Sequence, residues 1–416
     1  MHITQICANA FKTLDNPAIV TVPNTVTIIE NFAFINCEKV VFEDNSQIAE
    51  LGSFFVWQSG NSFIKNLTIK EVDFGNNNWT SVPTSMFMLC VYLEKVKLPD
   101  AITTIKNFAF SFCERLVDIN FPNSLTEIQE NAFIGCSTLV NINLPNNLQT
   151  IGSGAFCSCC LLRTIVLPQS LKSIESDAFR DCDQLLQVRN LSSINTNSLK
   201  LNSLAEILTD ETTQFSGTYE FTEKVTIYKD KNNVKYIVGL SNMNVRRITA
   251  DDIPDDVKYL NSQCYQDPIT AYWVNMLQLL LKTELNIPTF GLEYIEVPNH
   301  VQFNGNPFYT AQADDCYLKL TEIAFEDGFS LTTLPTLWGA TTLKKITIPK
   351  SVTQVSFSLL TALKEVVFEE TTGWYMIIDN NETEKTAVDV SDPSVIAKSI
   401  AEKGSNNNLI TLKKIG

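Results

Sequence analysis

The stretch GSGAFCSCC, Gly152 to Cys160, concentrates the residue types best able to do chemistry in this chain. A glycine pair lets a backbone close around a phosphate, and three cysteines within four positions can ligate a metal or form a redox couple. Neither pattern is complete. No G-x-G-x-x-G or G-K-[ST] extends the glycines. The cysteines do not form paired C-x-x-C units, and His2 and His300 are remote in sequence. With two histidines in all, and no G-x-S-x-G, H-E-x-x-H or Rossmann start, no catalytic, cofactor-binding or metal-ligating residue is assigned, and the chain is expected not to be an enzyme. Asp251, Asp252, Asp255 and Asp256 bracket Ile253-Pro254 and read as a solvated turn, with a weak calcium site as the alternative.

The cysteines make sense on a longer ruler. Cys90, Cys113, Cys136, Cys159 and Cys182 are each 23 residues apart, and Phe87, Phe110, Phe133, Phe156 and Phe179 stand three residues before them. Pro99, Pro122, Pro145 and Pro168 stand eleven residues before the last four phenylalanines. Three residue types in one register define a repeated structural unit.

In the unit from Pro122 to Leu144, the L-x-x-I-x-L of Leu139, Ile142 and Leu144 predicts a half-buried strand ended by Pro145. Leu125 and Ile128 make a second inward edge. The run ENAFIGC predicts a short helix or tight turn that drops Ala132, Phe133 and Cys136 inside. One coil cannot bury that face alone, but coils stacked at about 4.8 Å bring the phenylalanines into a column. Truncating one ring to alanine is expected to cost about 3–5 kcal/mol. Cys159 then reads as a small buried hydrophobe, whereas Cys157 and Cys160 flank it, with at least one expected toward solvent. A disulfide within the column would suit the separation of neighbouring coils, but parallel side chains fit its dihedral badly.

The template extends both ways. Ile3, Ile6, Ala10, Phe11 and Leu14 start it; Val26, Ile29, Ala33, Phe34 and Cys37 make the next coil; IAELGSFFVW and then Trp79, Val82 and Phe87 follow. The division expected is an N-terminal solenoid over 1–204, an interruption over 205–290, further coils over 291–370 and a C-terminal cap over 371–416. Within the interruption, KVTIYKDKNNVKYIVG predicts a hairpin. Val245, Ile248, Val257 and Leu260 hold one coil, and Ala271 to Leu285 predicts an amphipathic helix. In the cap, Asp392, Pro393 and Gly404 start and stop a helix.

At 416 residues the chain exceeds one compact core, and a net charge of −15 without a basic stripe disfavours nucleic acid and anionic membrane. The run Ala271 to Leu281 is too short to span a bilayer, which takes about 20 residues. MHITQICANAF shows no secretory signal, so the expectation is an intracellular chain or one whose leader has been removed.

The runs LPDAITTIKNFAFSFCERLVDINFP and LPQSLKSIESDAFRDCDQLL resemble the 23-residue BspA-like leucine-rich repeats of bacterial and protist surface proteins, and GWY…VSDPS resembles the cap that often ends them. The resemblance covers about three quarters of the chain. It implies an α/β repeat fold: a right-handed leucine-rich-repeat solenoid of short parallel strands with short helices or turns, interrupted mid-chain and capped. It also implies a cell-surface or secreted recognition or adhesion protein that needs no cofactor and binds a protein or glycan, host matrix included. A structural scaffold of the envelope or cytoplasm is the alternative. A monomer is expected, edge-to-edge association being the other possibility.

In a solenoid the outward strand positions of successive coils form one wide surface. The candidate partner-binding residues there are Lys95, Lys97, Asp118, Asn120, Asn141, Asn143, Arg163, Thr164, Gln187 and Arg189.

Overall fold

The computed structural model describes residues 3–13, 17–46, 48, 50–51, 68–242, 244–261, 292–304, 320–338, 342–358, 360–379, 386–404 and 408–414. The helix expected from Ala271 to Leu285 and most of IAELGSFFVW lie outside them. The chain divides into two compact units, Met1–Phe215 and Ser216–Gly416.

Two parallel ladders run through the first unit. One carries the longer strands: Ala18–Val22, Cys37–Phe42, Glu71–Asp73, Lys95–Lys97 and Asp118–Ile119 in one sheet, then Thr164–Leu167, Gln187–Asn190 and Glu206–Leu208 in another. The strand expected over Leu139 to Leu144 contributes only a single bridge, Asn141 to Thr164, although Leu139 and Ile142 are buried as anticipated. The other ladder is built of two-residue strands: Ser81–Val82, Thr104–Ile105, Glu127–Ile128, Thr150–Ile151 and Ser173–Ile174. Each proline closes the corner between the ladders, because its carbonyl accepts the N–H three residues on: Pro99 from Ile102, Pro122 from Leu125, Pro145 from Leu148 and Pro168 from Leu171, at 2.9–3.2 Å.

The remaining side of each coil is a succession of tight turns. No helix forms there among the described residues. The chain cannot continue helically because residues two before and two after the column phenylalanine are left-handed: Phe108 and Phe112, Asn131 and Gly135, Gly154 and Ser158. These turns align a third row of backbone bonds, in which the N–H groups of Phe87, Phe110, Phe133 and Phe156 donate to the carbonyls of Ala109, Ala132, Ala155 and Ala178 at 2.7–2.8 Å.

Between the ladders lies one continuous core. The rings of Phe87, Phe110, Phe133, Phe156 and Phe179 stack with centroids 5.0–5.5 Å apart and planes within 10° of parallel. These separations lie within the roughly 4.5–7 Å range over which aromatic pairs attract one another. The column cysteines lie beside the rings and are fully or nearly fully buried. Upstream, Phe11, Phe34, Phe42, Phe74 and Trp79 carry the aromatic chain on with mixed geometry. The first coil is less enclosed than its residues suggested: Ile3 and Ala10 are exposed.

The second unit opens with an antiparallel meander, Thr218–Phe221, Val225–Lys229 and Lys235–Leu240, which contains the expected hairpin. The sheet then turns parallel through Tyr259–Asn261 and Gln302–Asn304. A second parallel ladder joins Arg247–Ile248, Tyr294–Val297, Glu322–Phe325, Lys345–Ile348 and Glu365–Phe368. The helix Pro393–Gly404 starts where its cap predicts. The Asp392 carboxylate accepts from the N–H groups of Ser394 and Val395 at 3.0 and 3.2 Å, and Ile396, Ala397 and Ile400 face the core. The final strand, Ile410–Lys414, lies antiparallel to Gln354–Ser358 and Trp374–Ile378 and closes this unit.

Candidate functional site

The apparent chemistry of GSGAFCSCC resolves into packing. A Cβ on Gly152 would stand 2.7 Å from the Glu130 backbone nitrogen, so this glycine permits close approach of two coils, and Gly154 takes a left-handed φ of +60°. The Cys159 thiol donates to the Phe133 carbonyl at 3.5 Å, as Cys113, Cys136 and Cys182 do to Phe87, Phe110 and Phe156 at 3.0–3.1 Å. The column position therefore selects a residue that is small, apolar in bulk and still able to donate one weak bond. Burial pushes the thiols up, Cys159 to about 11 and Cys37 to about 12, so thiolate chemistry is suppressed.

Of the two flanking cysteines, Cys157 is fully buried and Cys160 is half-buried, so only Cys160 has any access to solvent. The Arg180 guanidinium lies over Cys157 with its Nη2 3.7 Å from the sulfur, and the Asp181 carboxylate lies 3.9 Å away. Burial pushes the Cys157 thiol up to about 12 and the Asp181 carboxyl up to about 6, the latter against the opposing pull of Arg180. Arg180 holds Asp181 at 2.9 Å and Asp177 at 3.0 Å, and Lys200 holds Asp177 at 2.7 Å. This is a structural ion network around a blocked thiol. Among the described residues no three His, Cys, Asp or Glu side chains are grouped to hold a metal, and no helix is long and apolar enough to cross a membrane.

What remains is the outer face of the longer strands. Parallel register sets Lys39, Glu71, Lys95 and Asp118 in one outward row, with Val41, Asp73 and Lys97 in the next. Opposite charges meet along and beside these rows: Lys39 with Glu71 at 2.9 Å, Lys95 with Asp118 at 3.0 Å, Lys97 with Asp73 at 3.3 Å, and Lys70 with Glu38 at 2.7 Å. These pairs are exposed or partly exposed and each is worth about 1 kcal/mol or less, so a partner could exchange them at little cost.

The ten candidates divide by how their polar atoms are employed. Asn120 turns back on the preceding coil, accepting from the Leu98 N–H at 2.6 Å and donating to its carbonyl at 3.0 Å. Arg189 donates to the carbonyls of Asp210 and of Thr213, the latter at 2.8 Å, and lies over the Phe215 ring, so it fastens the loop that ends the first unit. Arg163 donates to the Gln184 amide oxygen, and Thr164 to that of Gln187, both at 3.2 Å. Lys95, Lys97, Asp118, Asn141 and Asn143 present exposed side chains.

Lys39, Glu71 and Asp73 belong to the same face but fall off the 23-residue ruler. Lys39 and Glu71 are register partners 32 residues apart, because the coil between them is nine residues longer than the repeat. Alternation within EKVVF and EVD was the signal available for them.

The repeat signature of the BspA type leucine rich repeat region matches residues 1–77, 58–186 and 160–270, in six copies. The chain belongs to this family. Among solved structures, the BspA-type chain is similar to the leucine rich repeat protein TpLRR of T. pallidum, at 31% identity over 41% of this chain and 72% of that one, TM-score 0.27. A leucine rich cell surface protein of Faecalibacterium prausnitzii A2-165 is 18% identical over 86% of this chain and 89% of its own, TM-score 0.30. A leucine-rich repeat protein of Bacteroides ovatus is 22% identical over 68% and 69%, TM-score 0.27. No curated protein matches the chain.

Proposed function

We propose that this BspA-type chain is a non-enzymatic recognition module, displayed at the cell surface or secreted, that binds a protein or glycan through the outer face of its longer strands. One observation carries the reading: Lys95, Lys97 and Asp118 are exposed on one ladder, and Asn141 and Asn143 are exposed on the coil that follows, a polar surface wider than any single coil supplies. Family membership supports it, since these repeats are known from surface proteins. In this reading residues 1–204 present the array, 205–290 interrupt it, 291–370 add further coils and 371–416 form a cap.

The test is binding of the purified protein to immobilised matrix proteins and to a glycan array. Lys97→Glu and Asn143→Lys are expected to weaken binding to the partner found, while Glu127→Lys, on the two-residue-strand ladder, leaves it unchanged. Equal binding by all variants would place recognition off this face.

A further inference from the structure

The outermost of the longer strands, Ala18–Val22, differs from the four strands behind it in its sheet. Its sequence AIVTV carries no charge, and in the outward row where its successors place Lys39, Glu71, Lys95 and Asp118 it places Ile19, which is 72% exposed. Natural sheets blunt an open edge with charge, above all lysine, or with a bulge that twists the edge away. This strand has no charge to do so, and its one register irregularity, between Ala18 and Ile19, lies toward its inner neighbour.

Among the described residues the strand pairs on one side only, with Cys37–Phe42. The Ala18 N–H and the Val22 carbonyl face that neighbour, at 3.0 Å from the Asn36 carbonyl and the Glu43 nitrogen respectively. Backbone groups alternate sides along a strand, so those of Ile19 and Thr21 point to the open edge.

We infer that this edge pairs with the same edge of a second copy of the chain. Antiparallel pairing about a two-fold axis at Val20 sets Ile19 opposite Thr21 of the other copy, and Thr21 opposite its Ile19. Both are hydrogen-bonded pairs, so four backbone bonds form from groups otherwise left to water. Val20 then meets Val20 across the axis on the core side, where it is already half-buried. Ala18 meets Val22. The same register sets Pro17 opposite Pro23, so residues without an N–H end the pairing at both limits. The segment reads the same from either end in all that pairing requires: five extended residues, no charge, a proline at each border. The surface used is the edge of the array and not its outer face, so the inference does not depend on the recognition reading.

The experiment is sedimentation velocity on the full chain across a concentration series, with hydrogen exchange followed on the peptide spanning Pro17 to Pro23. The expected result is a reversible dimer, with protection of that peptide rising as the dimer forms. Ile19→Pro, which removes a donor at the open edge, and Ile19→Lys, which keeps the donor and adds the missing charge, both abolish the dimer over the same range. Val395→Lys, an exposed apolar site on the cap helix, leaves it intact. Unchanged circular dichroism shows that each variant is folded. A monomer at every concentration overturns the inference, whether its edge exchanges freely or is protected throughout by another segment of the chain. So does a dimer that survives both Ile19 variants.

Discussion

Asp181 shows how a single residue in this array trades electrostatics against geometry. It occupies a left-handed position at φ 65°, where Asp and Asn are tolerated better than most side chains, but its carboxylate is largely buried beside Cys157. Burial raises its pKa from 3.8 to about 6, so the folded state prefers the protonated acid. The stability this contributes is complete below about pH 4 and is lost as pH rises through about 6. Asp181→Asn keeps the backbone preference and mimics the neutral acid, while Arg180 keeps Asp177 as a partner. The variant is therefore expected to match the parent near pH 4 and to exceed it in stability above pH 6, as read by urea midpoints across pH. A constant difference at all pH values would mean that Asp181 titrates normally. The cysteine motif could be read as packing from register alone. The ion network around Cys157 could not: Arg180 stands 23 residues after Cys157 and Lys200 23 after Asp177, so the ruler makes them neighbours on adjacent coils, but it does not say which charges pair or that a thiol is enclosed by them.

The coil is assembled from two kinds of corner: a proline turn between the ladders, and a run of tight turns held by two left-handed residues on either side of the column phenylalanine. The first was legible because proline marks it. The second was not, since Phe108, Asn131 and Gly154 share one conformation with unlike side chains. The chain pays for that conformation at non-glycine positions through the row of backbone bonds linking each turn to the next coil. Gly154→Val puts a β-branched residue there and is expected to destabilise the first unit by about 1–2 kcal/mol. Gly154→Asn, which repeats what Asn131 does one coil earlier, should cost less, and thermal melts of the two variants measure the order. Equal melting would mean that the turn relaxes out of the left-handed region. The strand expected over Leu139 to Leu144 kept its burial pattern and lost its ladder. Side-chain alternation reports which face is inward, and does not report whether backbone bonds to both neighbours close.

For the molecule as a whole, the fold was legible wherever coil length is constant, and the outer face could be named only as far as the 23-residue ruler reached. In the second unit the register partners Glu322 and Lys345 are 23 residues apart, but Lys345 and Glu365 are 20 apart, so the ruler loses phase while the ladder itself continues. The central claim is that the first unit has one shared, dry spine of stacked rings and thiols. Its most direct test is thiol alkylation, read by mass spectrometry, in native buffer and then across a urea series. Cys7, which is exposed, should label at once and half-buried Cys160 soon after, whereas Cys90, Cys113, Cys136, Cys159 and Cys182 should stay unlabelled until the unit unfolds and then react over the same urea range. Labelling of the column cysteines in native buffer at the rate of Cys7, or their release in separate transitions, would contradict a common core.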